Sequence, residues 1–389
     1  MEQGLYEAKM RGHWSAYYEV LAGADLFARV VPDETGELGP DIRQDPHTGA
    51  PLLCLYTDGM LPVPSADQLF KLASLKSFAK DWDELPFTLV VNPGSPCEGV
   101  LYTAPPHNAP WLSIARRAGH PDFSGTLRAL RVGGPLHGPV AHGLACGALM
   151  SVKNGYLWNA LAFHGNGYET EREQLERWWG VTSRAEWQRT LQRLLARENL
   201  SPVWEFALDL RHSIARDFGG HVETEYWREA AANVLRSRSE GATVLTPDGV
   251  TRTDPRPESE VRAQISGVQH LIGRITRYEA RMRADGILAE GRYVRSVDAW
   301  DLGRGASMAC WGVGARYGTV EEAERAVVEV GEQSAVTYSS WEDFSAGYIL
   351  GRCLHFDEER FGSWYKEMLT CHRVLTTDPA SPWLNIPFR

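Results

Sequence analysis

The feature that most constrains this chain is a change of apolar rhythm on either side of a proline-rich passage, Ala104-Pro105-Pro106-His107-Asn108-Ala109-Pro110. Before it, apolar residues come in short runs cut by turn residues, the pattern of strands. Residues 52–57 and 87–91 are the strongest runs, stopped by Asp58-Gly59 and by Asn92-Pro93-Gly94, and residues 24–31 also read as extended. Trp14, Tyr17, Tyr18 and Leu21 recur at helical spacing, and Ser65-Ala66-Asp67-Gln68 has the form of a capping box, which predicts a helix through Ala79.

After the passage the spacing turns helical, with helix beginning near Ala141. Ser183-Arg184-Ala185-Glu186 caps a stripe of Trp187, Leu191, Leu194 and Leu195. Thr319-Val320-Glu321-Glu322 precedes Ala323, Ala326, Val327 and Val330, and Ser340-Trp341-Glu342-Asp343 precedes Phe344 and Tyr348. Residues 237–260, rich in Gly, Pro and Asp, read as a long loop or short hairpin. The expected class is therefore α+β: a small α/β-sheet domain over 1–103, a Pro/Gly-rich connector over 104–143, and a mostly α-helical domain over 144–389. A chain of 389 residues is long for one core, so two domains also suit its length.

Composition narrows the partners. A formal charge of −10 and a pI near 5.7 argue against nucleic acid or an anionic membrane, since phosphate binding needs a basic face. No stretch reaches the roughly 18 to 20 apolar residues of a membrane helix. The first residues, Met1-Glu2-Gln3-Gly4-Leu5-Tyr6-Glu7, have no secretory apolar core, and six scattered cysteines without a CxxC pair read as reduced thiols in a cytoplasm.

Two tryptophan-led motifs end in arginine. In Ala299-Trp300-Asp301-Leu302-Gly303-Arg304, Asp301 lies one helical turn before Arg304, and Trp300 shares its face; Trp341, Tyr348 and Arg352 share a face further on. Trp300, Asp301, Arg304, Trp341, Tyr348 and Arg352 are thus the candidate ligand-binding residues. Two forked guanidiniums in an aromatic pocket would clamp a carboxylate or phosphate. The alternative is a buried network in which Asp301 satisfies the arginines and the tryptophans stack on them. Glycines 303, 305, 312, 314 and 318 suit close helix packing, since no strand precedes them and a nucleotide loop's lysine is missing. The twelve histidines show no metal-ligand spacing, and no GxSxG elbow or other catalytic constellation appears, so no metal, cofactor or reaction is assigned. Residues 206–211, Phe-Ala-Leu-Asp-Leu-Arg, echo residues 299–304. Two related helical hairpins, or two helices with similar packing roles, each account for it.

These motifs, with Trp179-Gly180-Val181-Thr182-Ser183, Tyr317-Gly318-Thr319 and the terminal Ser381-Pro382-Trp383, give the part from about 144 to 389 a resemblance to the YbeU/YbeR-type bacterial proteins of unknown function. Residues 11–102 resemble the SseB N-terminal domain, through Tyr17-Tyr18, Ala24-Asp25-Leu26-Phe27 and Leu89-Val90-Val91-Asn92-Pro93-Gly94-Ser95; where that family has a Phe-Thr-Ser run, this chain reads Val63-Pro64-Ser65. The resemblance implies a bacterial, cytoplasmic, non-enzymatic interaction or regulatory protein beside secretion, toxin–immunity or stress systems, with a protein as partner. The alternative expectation is a small-anion-binding protein or enzyme using Asp301, Arg304 and Arg352.

Overall fold

The structure, a computed structural model, describes the chain apart from residues 33–37, 63–68, 81–86, 120–122, 131–133, 162–167, 241–242, 247–248, 253–254 and 389. Helices α1 (Glu2–Met10) and α2 (Trp14–Ala22) come first, and α2 buries Tyr17, Leu21 and Ala22 along one side, as helical spacing demands. Seven strands then form one sheet: β1 (Leu26–Pro32), β2 (Leu38–Pro40), β3 (Ile42–Gln44), β4 (Pro51–Tyr56), β5 (Leu69–Ala73), β6 (Thr88–Val91) and β7 (Gly99–Leu101). The sheet is mixed. β1 pairs antiparallel with β2, β4 and β5, β3 with β4 and β6 with β7, whereas β4 and β6 run parallel from Leu52↔Thr88 to Leu55↔Val91.

The helix expected over 65–79 is overturned. Residues 69–73 are strand β5, in register with β1 from Leu26↔Ala73 to Val30↔Leu69, and helix α3 covers only Leu75–Lys80. A five-residue ladder outweighs the helical preference of Leu, Lys and Ala, which is a weak prior. The Ser65–Gln68 cap itself lies outside the described residues.

Strand alternation divides the side chains. Leu26, Ala28, Leu53, Leu55, Leu89 and Val91 join Tyr17, Leu21, Leu75 and, from α4 (Ala109–Arg117), Trp111 in one core. Phe27 turns the other way, into a smaller cluster with Leu61, Leu130, Leu157 and Ala160. Trp111 is fully buried and donates its indole N–H to the Tyr102 carbonyl at 3.0 Å, so the core holds no orphan donor there.

The remainder is mostly helical: α5 (Gly138–Cys146), α6 (Ala148–Asn154), α7 (Tyr168–Trp179), α8 (Arg184–Leu195), α9 (Pro202–Phe218), α10 (Thr224–Ser239), α11 (Glu258–Asp285), α12 (Asp298–Gly314), α13 (Val320–Thr337), α14 (Trp341–Phe356), α15 (Ser363–Thr377) and α16 (Pro382–Asn385). Between α10 and α11 stands a hairpin of β8 (Thr243–Thr246) and β9 (Gly249–Arg252), where a loop or hairpin is expected; Pro247 and Asp248 lie outside the described residues. An α/β-sheet region followed by a helical region is the α+β class read from the sequence. No helix among the described residues is long and apolar enough to cross a membrane.

The chain divides into two compact units. Met1–Gln192, Gly305–Gly331 and Val374–Pro387 form the first; Arg193–Arg304 and Glu332–Arg373, with Phe388, form the second. In the first, the fully buried Trp187 lies against Gly312 and Gly318, where any Cβ would overlap its indole, and its N–H reaches the Met308 carbonyl at 2.9 Å. Gly312 and Gly318 therefore seat a tryptophan. In the second unit α11 packs against α9, α10 and α14.

Candidate functional site

All six candidate residues fall in the second unit. Close approach of α14 to the start of α12 positions them. A Cβ on Gly351 would come within 2.9 Å of the Trp300 Cβ, and one on Gly347 within 2.8 Å of the Tyr338 hydroxyl, so both positions must lack a side chain. The Tyr338 hydroxyl accepts the Ala299 N–H at 2.8 Å and donates to the Ser296 carbonyl at 3.0 Å, which fixes the first turn of α12.

Within that turn Asp301, with no exposed surface, forms an ion pair with Arg304 and accepts the Asn199 N–H at 3.1 Å. Arg304 lies over the Trp300 ring at 3.7 Å and donates Nε–H to the Trp300 carbonyl at 3.2 Å. Burial pushes the Asp301 carboxyl up and the Arg304 guanidinium down; each opposes the other's shift by its charge. Trp300, Asp301 and Arg304 thus form one closed packing unit.

Arg352 is held differently. It is buried, and its ion-pair partner is the half-exposed Glu367 at 3.4 Å. Its guanidinium lies over Trp364 at 4.8 Å, and Trp364 stacks on Phe356 at 4.7 Å. Trp341, expected beside this arginine, instead meets Phe344 and Phe388 edge-on at 6.2 and 4.8 Å. Tyr348, one turn before Arg352, is fully buried, and its hydroxyl has no hydrogen-bond partner among the described residues; the same holds for Arg352 Nε. Burial raises the Tyr348 phenol against the opposing pull of Arg352 and Arg304, so it stays a neutral donor. The structure therefore joins Trp300, Asp301 and Arg304, places Tyr348 in the field of both arginines, and gives Arg352 a different tryptophan. Sequence spacing missed Asn199, Trp364 and Glu367, because helical periodicity relates only residues of one helix; Phe356, one turn after Arg352 on α14, was within its reach.

Three further polar clusters lie in this unit. At the start of α12, Glu205 accepts from the Val297 N–H at 2.8 Å and the Ser296 hydroxyl at 3.1 Å. Burial and the neighbouring Asp298 push Glu205 up to about 7. Deeper, Arg211 and Glu279 form two parallel hydrogen bonds of 2.7 Å each, while Trp227 and Tyr293 take the guanidinium at 4.3 and 4.8 Å. Ser345 and His372 meet at 2.8 Å in atoms a nucleophilic dyad would use, but both side chains are buried inside helices and His372 is pushed down to about 4 by that burial. Among the described residues no three His, Cys, Asp or Glu side chains gather as metal ligands would.

A family model described as "Protein of unknown function (DUF1266)" matches residues 174–388, more than half of the chain. The chain belongs to the DUF1266 family. The DUF1266 match begins inside α7 and contains all six candidate residues; the seven-stranded sheet precedes it. No curated protein and no solved structure matches the chain.

Proposed function

We propose that this DUF1266 protein is a non-enzymatic interaction or regulatory protein of the bacterial cytoplasm. The observation that carries the reading is an exposed aromatic pair. Phe218 is 77% exposed and Tyr226 49% exposed, and their rings meet edge-on at 6.2 Å. Phe218 ends α9, Gly219 caps it in the left-handed region at φ 73°, and Tyr226 stands in the first turn of α10. Helix ends on both sides hold the rings, so docking a partner would order little that is not already ordered. Aromatic anchors of this kind dominate protein interfaces. The engagement of Arg304 by Asp301 inside the core supports the same reading, because it removes one of the two guanidiniums a ligand clamp would use. As the finer placement, we take the helical part as YbeU/YbeR-type and the sheet part as SseB-like, which puts the protein beside secretion, toxin–immunity or stress systems.

Affinity capture of the full chain from its own cells, beside a Phe218→Ser/Tyr226→Ser variant of unchanged melting temperature, tests the reading. A partner retained by the wild type and lost by the variant is expected. Absence of any reproducible macromolecular partner would overturn it.

One observation favours a second reading, a small anionic ligand at Arg352. The Tyr348 hydroxyl and Arg352 Nε are buried donors without acceptors among the described residues, each costing about 1–3 kcal/mol that a carboxylate or phosphate oxygen would recover. Native mass spectrometry of gently purified protein should then show a small retained mass that disappears in Arg352→Ala; no such mass in the wild type argues against it.

A further inference from the structure

A surface cleft of about 430 Å³ lies between the last turns of α10 and the first turns of α11, and none of the candidate-site residues lines it. Its floor is apolar, built from the buried Val261 and Ile265. Its walls carry three arginines from three different places: Arg236 in the last turn of α10, Arg256 just before α11, and Arg262 one turn into α11. The Arg256 N–H donates to the Ser239 carbonyl at 3.1 Å, which ties the two lips together. Glu258 pairs with Arg262 at 3.6 Å, while Arg236 donates to Asn233 at 3.0 Å; Arg236 and Arg256 have no carboxylate partner among the described residues. Pro257 caps α11 without a side-chain hydrogen bond, so the positive end of a 28-residue helix adds to the field.

We propose that this cleft binds a small organic anion, with its carboxylate or phosphate on Arg236 and Arg256 and a short apolar body on Val261 and Ile265. Guanidinium forks match both oxyanions, and the volume lies within the range of small-molecule sites. Glu240, the other carboxylate of the lining, limits the choice: it repels a second negative charge and suits a ligand whose far end is neutral or cationic. The proposal is independent of the interaction reading, because neither Phe218 nor Tyr226 lines the cleft.

Calorimetric titration of the full chain at low salt, with inorganic phosphate in one arm and hexanoate in the other, tests it. Saturable binding of at least one probe is expected, and the responding arm tells phosphate from carboxylate chemistry. An Arg236→Gln/Arg256→Gln variant should lose affinity by about tenfold or more, since each charge-assisted hydrogen bond is worth that much. Arg262→Gln, already paired with Glu258, should change it less than about threefold. The three arginines are exposed, so the variants should keep the wild-type melting temperature. No saturable heat with either probe, or equal affinity in the double variant, would overturn the proposal.

Discussion

Replacing Arg211 by alanine should destabilise the protein by about 3–5 kcal/mol, because it strands a buried carboxylate. The Glu279 side chain is 4% exposed and Arg211 6% exposed. Without the guanidinium, Glu279 keeps the Val294 N–H at 2.8 Å and a distant Arg283 at 3.9 Å, which do not replace two bonds of 2.7 Å. Glu279→Met should cost a similar amount for the mirror-image reason. The double variant Arg211→Ala/Glu279→Met removes both charges together. It still strands the Val294 N–H and carbonyl, the latter now accepting from Arg211 at 2.9 Å, so about 2–4 kcal/mol remains lost. That is well under half the sum of the single changes, a coupling of about 4 kcal/mol or more. Urea unfolding followed by tryptophan fluorescence, analysed with a common slope, measures all four proteins. The reasoning fails if Arg211→Ala costs less than about 1 kcal/mol, or if the double variant loses the full sum of the singles.

Arg304→Ala should likewise cost about 3–5 kcal/mol, seen as a lower urea midpoint, since Asp301 has no exposed surface on which to be solvated. Gly312→Ala drives a methyl group into the Trp187 indole and should lower stability by about 2 kcal/mol, read in a thermal melt. Glu205 gives a pH signature: its folded value near 7 lies above the ordinary 4.5, so its contribution is full below pH 4.5 and is lost as pH rises through 7. Discounted for partial exposure, the loss is roughly 2 kcal/mol, and melting temperatures measured from pH 5 to 8 should fall less steeply in Glu205→Gln. A wild-type profile no steeper than the variant's would count against the buried carboxylate.

Helix starts are the most legible part of the sequence. Thr319 and Glu322 exchange N–H bonds of 2.9 and 3.3 Å, the reciprocal box their spacing implies. Ser340 and Ser183 do half of this: each hydroxyl accepts the N–H three residues on, while Asp343 and Glu186 reach one residue further back, to the N–H of Ser339 and Thr182. Strands β1, β4 and β6 also follow from apolar runs, since they need only local alternation. β5 does not, because its pairing partner lies about forty residues away and nothing in Leu-Phe-Lys-Leu-Ala encodes that register. The candidate site divides in the same way. The Asp301–Arg304 pair sits one turn apart and is readable; Trp364 over Arg352 and Asn199 on Asp301 come from other elements and are not.

The echo between residues 206–211 and 299–304 takes on physical content in the second unit. Both segments end in an arginine stacked on tryptophan and closed by a carboxylate, Arg211 by Trp227 and Glu279, Arg304 by Trp300 and Asp301. The carboxylates come from different places, one from α11 and one from the same helix, so similar packing roles account for the likeness without a shared hairpin geometry. Desolvating a guanidinium is costly, and a facing ring plus a facing carboxylate is a chemical answer that helices reach independently. Arg352 follows the pattern only in part. It has its ring in Trp364, but its carboxylate is half-exposed at 3.4 Å. Among the described residues neither Arg211 nor Arg352 has an acceptor for Nε, yet their remaining bonds differ. Arg211 spends both terminal nitrogens on Glu279 and the Val294 carbonyl at 2.7 to 2.9 Å, which neutralises its charge inside the core. Arg352 has the long Glu367 contact instead, and one turn away the buried Tyr348 hydroxyl also has no partner among the described residues. Its charge is therefore the least well met of the three, and that asymmetry, not the motif it shares with Arg304, makes it the residue to change first in a search for a ligand.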